Sequence, residues 1–541
     1  MIKDEKYTTN YYSLDDDSIK IILQDNLELK GKVSTLEISL EEAQKRIDWF
    51  KEQFKLLRQK QFGKSSESCS TSQQELSIIF NADEDASAKQ ENTPEKEKSV
   101  TDAPKKKNGR NLDTTKLPRK VEMHDLAENE KNCSCCGGCL HKVRDETSER
   151  IEIIPRQLYV VEHVYPQYAC RHCETIYSAT KEKSPLPKSM AGASLITDVI
   201  ISKYEHHQPL YRQSKIFLSC GFDLPDNTLG RWVMQAGEAL LMMDEALAKE
   251  ILHASYLQVD ETPVKILEPE KQAYMWCYLS PIPGHQLNRF RFDLSRSSEV
   301  VNDDLKDFKG LLQTDGYAGY NSMRSKPEII SFGCMAHARR KFVEIIKTAS
   351  RNSGKAHEGM KYFTALYRLE QDAHKRKLSF EERKLLRQKE ATPILEKFYT
   401  WLMQSKNHVP PQSGIGKAID YTLKQWLYLK NYVHHAEVEI DNNWVENKIR
   451  PFALGKKNWL FVAHEGSAQI AALLYSLIES AKLNDLNARF YIHYLLTQVH
   501  ALRKKEMDPR DLLPHRIDCA LLQKFADQEF HKAQNIYASF A

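Results

Sequence analysis

"SYLQVDETPVKIL", residues 255–267, is the stretch whose reading decides the fold. Apolar and polar residues alternate as far as Val259, which is the signature of a half-buried strand. The alternation breaks at Asp260-Glu261. Burying an uncompensated carboxylate is costly, so an acid that ends an apolar strand needs a partner. "AYMWCYLSP" (273–281) and "HQLNRFRFDLS" (285–295) follow as two more strands, joined by a short Pro/Gly turn. "SEVVNDDLKDF" (298–308) reads as a helix. "GLLQTDGYAGYN" (310–321) gives a further strand ending at Asp315, and "EIISFGCMAHARRKF" (328–342) a strand running into a basic helix.

Three strands, a helix, a strand, a helix and another strand is the order expected of an RNase H-like α/β domain. An acid at a strand end projects from the sheet edge into a crevice. Asp260 and Asp315 both fit that description, although either alone also fits a turn or cap. "EIDNNWVENKIRPFALGKKNWLF" (439–461) adds one more acid, Glu446, among asparagines, cations and tryptophans. Asn443 with Glu446 three residues later reads locally as a capping box opening a short helix. The alternative is that Glu446 joins the two aspartates around a shared metal ion, which would remove the cost of all three charges.

Outward from this centre, the 541-residue chain has room for several domains. Its net charge is only +4, so affinity for nucleic acid must come from local basic patches. No signal peptide and no run of about 18 apolar residues is evident, so a cytoplasmic protein without a membrane span is expected. Residues 22–57 carry a heptad. Ile22, Leu29, Leu36, Ala43, Phe50 and Leu57 form one row, and Asn26, Val33, Leu40, Ile47 and Phe54 the other. That is the seam of a coiled coil, or else the apolar face of a helix packed on its own domain. Residues 64–118 are rich in Ser, Lys, Glu and Pro and read as a disordered linker. Two C-x2-C knuckles, Cys133–Cys136 and Cys170–Cys173, flank a strand-rich segment, the layout of a zinc ribbon with four thiolates on structural Zn2+. Cys136–Cys139 also fits the first knuckle, and Cys135 is spare. Residues 190–245 look helical, as a helix-turn-helix or as plain helical packing.

Several of these stretches resemble the transposases of the insertion sequence 66 family. They are "YLQVDETPVKIL", "LQTDGYAGYN", "CMAHARRKF", "NNWVENKIRPFALGKKNWLF", "LPRKVEMHDL" with the cysteine knuckles, "SKYEHHQPLYRQ", "KQFGKSSE" and "YSLIESAKLND". The resemblance runs from about residue 45 to 515. It implies a DDE-type DNA transposase, a polynucleotidyl transferase with Asp260, Asp315 and Glu446 as its triad. The triad would hold Mg2+ (or Mn2+). Cys133, Cys136, Cys170 and Cys173 would hold zinc. DNA, both the element's terminal repeats and the target, is the implied partner, in at least a homodimer at the bacterial nucleoid, with accessory proteins encoded beside it. Arg450, Lys456 and Lys457 are candidates for DNA backbone contacts, and His337 for the scissile region. Trp444 or Trp459 could stack on an unpaired base or belong to the core.

The expected architecture is therefore multidomain α/β. It comprises a coiled coil (1–63), the linker (64–118), a small zinc-binding domain (119–182), a helical region (183–248), an RNase H-like catalytic domain (249–482) with a helical insertion (346–430), and a helical C-terminal region (483–541). Two rival functions share much of this layout. One is a catalytically silent, transposase-derived DNA-binding protein, which needs no intact triad. The other is a nuclease without strand transfer.

Overall fold

A computed structural model describes residues 28–37, most of 158–187, and residues 189–348 and 354–540, besides a few isolated positions. Residues 28–37 are helical, and Leu29, Val33, Leu36 and Leu40 are exposed along this stretch. The other heptad positions, the 64–118 segment and Cys133, Cys136 and Cys170 lie outside the described residues. Two short antiparallel strands, β1 (Gln167–Ala169) and β2 (Ile176–Ser178), bracket the second cysteine knuckle. Four helices follow: α1 (Ala193–Tyr204), α2 (Leu210–Ser219), α3 (Asp226–Ala239) and α4 (Leu241–Ile251). No helix among the described residues is long and apolar enough to cross a membrane.

The next strand, β3, does not break at the acid pair. It runs 13 residues from Tyr256 to Glu268, and Asp260 lies within it, opposite Cys277. The break is expected at Asp260-Glu261, and Pro263 close behind is also a poor strand residue. The sheet explains why it is tolerated. β4 (Glu270–Ser280) pairs antiparallel with β3 along nearly its whole length, and β5 (Leu287–Asp293) pairs with β4. After α5 (Ser298–Asp304), β6 (Gly310–Gln313) pairs parallel with β3, but only over Tyr256–Gln258. On that same side a later strand, Val462–His464, joins only at Ile266 and Glu268. Between them, among the described residues, β3 has no strand neighbour on one edge. The carbonyl of Pro263 faces this gap, where it accepts a hydrogen bond from Lys456 at 2.6 Å. The proline's missing N–H therefore costs no rung to β4. β6 also ends two residues earlier than expected, so Asp315 sits in the turn beyond the strand. The short helix α6 (Asn321–Arg324) leads to β7 (Ile329–Phe332), which completes the order β5-β4-β3-β6-β7.

The two faces of the sheet bury separate cores. Leu257 and Val259, which alternate with Tyr256 and Gln258 along β3, pack with residues of α1–α4. Tyr256, Leu311 and Phe332 face the other way, into a core built by α7 (Met335–Thr348), α8 (Lys355–Lys375), α10 (Thr392–Lys406) and α11 (Gly414–Lys430), while α9 (Phe380–Leu386) adds no residue to it. Each fully buried Leu or Phe contributes about 1.5–3 kcal/mol, so the helices inserted after β7 have a core of their own. Val438 and Ile440 belong to that core, whereas Val445, Ile449 and Phe452 of α12 (Asn443–Trp459) belong to the first. The chain thus crosses the sheet at the gap in β3. It then forms β8 (Val462–His464), α13 (Glu465–Leu483), α14 (Ala488–Arg503) and α15 (Cys519–Phe540). Residues of α13 and α14 pack into the same core as α1–α4.

The expected capping box at Asn443 and Glu446 does not form. α12 is 17 residues long, its N-cap is Asn442, and no side chain of that residue caps it. Instead Asp441 accepts the Asn443 N–H at 3.2 Å, and its other oxygen takes the Asn443 side-chain amide. The Val445 N–H goes to a residue of β3. Glu446 is thereby released from serving its own helix.

A carboxylate cluster at the gap in the sheet

Asp260 lies on β3, Asp315 beyond β6 and Glu446 in the first turn of α12, near enough that the charges of Asp315 and Glu446 both act on Asp260. Burial pushes the Asp260 carboxyl well above the usual carboxylate range, and the negative charges of Glu261, Glu446 and Asp315 push it further. Asp315 is held from both sides. Its Oδ1 accepts the Tyr317 N–H at 2.9 Å, and its carbonyl accepts from Arg324 at 2.5 Å. The same guanidinium reaches Thr314 and Gln425, both at 3.0 Å, and lies over the Tyr428 ring. A Cβ on Gly316 would stand 2.6 Å from the Tyr421 hydroxyl, so a larger residue there has to displace the Tyr421 ring from this turn. Glu446 lies 3.3 Å from Arg340 and 3.6 Å from His337 Nδ1. Burial lowers the His337 pKa against the pull of Glu446, which favours a neutral ring.

A buried glutamine pair sets this geometry. Gln258 and Gln313 lie opposite each other in the β3–β6 pair, each two residues before an aspartate. Gln258 Nε2 donates to Gln313 Oε1 at 2.9 Å and to the Asp441 carbonyl at 3.1 Å. Its Oε1 accepts the Val445 N–H at 3.0 Å, one residue before Glu446. Gln313 Nε2 donates to the carbonyls of Gly333 and Glu439. Two amides therefore fix the three acid-bearing segments against one another. The edge of β3 is closed from α12 as well: Asn442 donates to the Val259 carbonyl and Lys456 to that of Pro263. The signal for the glutamines stands in the sequence as a repeated Leu-Gln-x-Asp, at 257–260 and 312–315.

Glu261, adjacent to Asp260, has a different task. It accepts from Arg296 and from the Tyr320 hydroxyl, and burial still raises its pKa. Glu479, another acid in this part of the chain, is paired with Lys482 at 2.7 Å and Lys448 at 3.6 Å. A pocket of about 280 Å³ opens beside Asp315, lined in part by Arg296, His337, Arg340 and Lys341. Of the expected DNA contacts, Arg450 and Lys457 are exposed on α12, whereas Lys456 is engaged with β3 and its pKa is lowered by burial. Trp444 is partly exposed, and Trp459 packs on Phe452.

Carboxylates are the donor type a hard divalent cation takes, while among the described residues the ligand atoms gathered here within 4.8 Å are those of Cys334, His337 and Glu446. Glu446 Oε1 and His337 Nδ1 are buried without a hydrogen-bond partner among the described residues, and the mutual repulsion of the carboxylates is what such a cation would relieve. Cys334 Sγ lies within 4.8 Å of the ligand atoms of His337 and Glu446, but it accepts the Asn442 N–H. In the cysteine-rich segment, Cys135, Cys139 and Cys173 are exposed.

Comparison with known proteins follows the same outline. The model of the transposase IS66 family matches residues 188–470. That of the zinc-finger binding domain of transposase IS66 matches residues 130–174, and one described as transposase C of IS166 homeodomain matches 49–121. Three curated proteins of Sinorhizobium fredii (strain NBRC 101917 / NGR234) are similar, all described as uncharacterized. Protein y4jD is 32% identical over 402 residues, covering 71% of this chain and 78% of its own. Protein y4hP is 30% identical over 415 residues, with 71% and 75% covered. Protein y4qI is 26% identical over 491 residues, with 87% and 89% covered.

Proposed function

The chain belongs to the IS66 transposase family, and from that premise we propose that it cuts the ends of its own insertion sequence and joins the freed 3′-OH ends to target DNA. The observation that carries this reading is that the buried Asp260 carboxyl feels the charges of both Glu446 and Asp315, besides that of its neighbour Glu261, beside the open edge of β3. An antiparallel β3-β4-β5 meander with β6 and β7 added parallel to β3 supports an RNase H-like catalytic domain, and residues 346–430 are its helical insertion.

The three carboxylates would hold Mg2+ or Mn2+, whose contribution is to neutralise charge on the attacking and leaving oxygens of an in-line displacement. The protein's own part is positional. The glutamine pair sets the spacing of the acids, Arg324 fixes the Asp315 turn, and Arg340 with His337 steadies Glu446. Water first cuts the phosphodiester at the element's end. The 3′-OH released there then attacks a phosphodiester of target DNA. Both steps are displacements at phosphorus, so one site serves both. Arg450 and Lys457, exposed on α12, are placed to neutralise backbone phosphates.

The family's zinc-finger domain is present. Structural zinc on Cys133, Cys136, Cys170 and Cys173 would hold a small β unit that has little core of its own. The exposed Leu29, Val33, Leu36 and Leu40 are suited to pairing two chains through a coiled coil. The direct test is to incubate the purified protein with its own element's end DNA and Mg2+. Nicked ends and joined products are expected. Stable end binding with neither product would point to a silent DNA-binding protein, and nicks without joining to a nuclease.

A further inference from the structure

Away from the carboxylate cluster, three segments meet at a second group of metal-binding side chains. Glu250 lies in the last turn of α4, His285 in the β4–β5 turn, and His515 between α14 and α15. The Glu250 and His515 side chains are each 4% exposed and that of His285 23%. Glu250 Oε1 stands 3.2 Å from His285 Nε2 and 3.4 Å from His515 Nε2, and all three ligand atoms lie within 4.8 Å of one another. Zinc bonds nitrogen and carboxylate oxygen at about 2.0–2.2 Å, which sets the ligand-to-ligand edges of a tetrahedral shell at about 3.3–3.5 Å.

The hydrogen bonds around the group serve its three ligand atoms unequally. Ser280 Oγ donates to the His285 carbonyl at 2.7 Å, so against His285 Nδ1, 3.3 Å away, it can only accept. This contact favours the tautomer with its ring proton on Nδ1, which turns the Nε2 lone pair toward the Glu250 carboxylate. Two lone pairs facing at 3.2 Å repel unless a proton or a metal ion lies between them. His515 is in the same state. Its Nε2 accepts from Arg516 Nε at 3.2 Å, so the ring proton is on Nδ1, which is buried without a partner among the described residues. Arg516 also donates from Nη2 to Glu250 Oε1 at 2.5 Å. This half-exposed arginine therefore caps two of the three lone pairs from outside and leaves His285 unserved.

We propose that Glu250, His285 and His515 bind one divalent transition ion of the zinc class, separate from both the cysteine finger and the acidic cluster. A glutamate and two imidazoles are the borderline-soft donor set such ions prefer. Ser280 orients the His285 ring as an outer partner, and Arg516 swings out to admit the ion and leave its fourth position to water. The bound ion ties the segment between α14 and α15 to α4 and to the β4–β5 turn.

The test uses the full-length chain, stripped with a chelator, re-equilibrated with Zn2+ and assayed for metal by mass spectrometry. His285→Gln should hold one zinc ion per chain fewer than the parent. A Cys170→Ser, Cys173→Ser chain should keep the ion that His285→Gln loses. Arg516→Gln keeps all three ligands and changes only an exposed residue. It should bind zinc at this site about tenfold more tightly, since the competing charge-assisted hydrogen bonds are gone. Equal zinc content in the parent and a folded His285→Gln would overturn the proposal. Should His285→Gln fail to fold, an Arg516→Gln chain with unchanged zinc affinity would overturn it equally.

Discussion

At the scale of single residues, the acids are easy to see and the groups that place them are not. Asp260, Asp315 and Glu446 stand out in the sequence because charge interrupts an apolar pattern. Gln258 does not, because a glutamine within a strand reads as an ordinary outward-facing residue. Its role emerges only when β6 lies beside β3 and α12 crosses the gap, so that one amide serves the Val445 N–H, the Asp441 carbonyl and Gln313. Gln258→Met keeps the volume and removes these bonds. Each buried group left unpaired costs about 1–3 kcal/mol, and a slip of about 1 Å in a reacting group can cost about a hundredfold in rate. The variant should lower the thermal midpoint and reduce end cleavage by about 10–100-fold, with unchanged affinity for end DNA in a gel-shift assay. Cleavage at the parental rate would show that the glutamine bridge does not set the site.

At the scale of elements, the strands around Asp260 were legible from their alternation, and the inserted helices from their charged, amphipathic composition. The continuation of β3 through Asp-Glu-Thr-Pro was not. It depends on an edge left open by the short β6 and filled by Asn442 and Lys456 of α12, partners nearly 200 residues away in the chain. The length of α12 was hidden by the same fact, since β3 and not a local capping box satisfies its first turn. The segment entering α12 is clamped to the insertion through Glu439, which accepts from Arg383 of α9 at 3.0 and 2.8 Å. Burial pushes the Glu439 carboxyl up, but His374 and Arg383 outweigh it and hold the pKa at about 2. A depressed carboxylate stabilises the fold above its unfolded pKa, and that contribution fades as pH falls from about 4.5 toward 2. Glu439→Gln should therefore cost about 3 kcal/mol at neutral pH, as for other broken buried pairs. The gap in thermal midpoint between parent and variant should narrow through that acid window. A gap independent of pH would rule out the ionised clamp.

At the scale of the whole molecule, joining two element ends requires two DNA sites to be held together, so at least a dimer is expected. Charged residues at Leu36 and Leu40 would be forced against their counterparts across a coiled-coil seam. A Leu36→Glu, Leu40→Glu variant should lose self-association in sedimentation and lose paired-end complexes while its zinc content stays unchanged. A variant that still sediments like the parent would move the dimer seam elsewhere in the chain. Assembly, however, only brings DNA to the acids, and the central claim is that Asp260, Asp315 and Glu446 act together on phosphorus. Single-turnover cleavage of radiolabelled end DNA in Mg2+ by the parent and by Asp260→Asn, Asp315→Asn and Glu446→Gln, with DNA binding measured in parallel, tests it most directly. Each variant should bind the end as the parent does and give no detectable nick, because each loses a metal-ligand charge without emptying a core. Cleavage at the parental rate by any one of the three would contradict the account and remove that residue from the site.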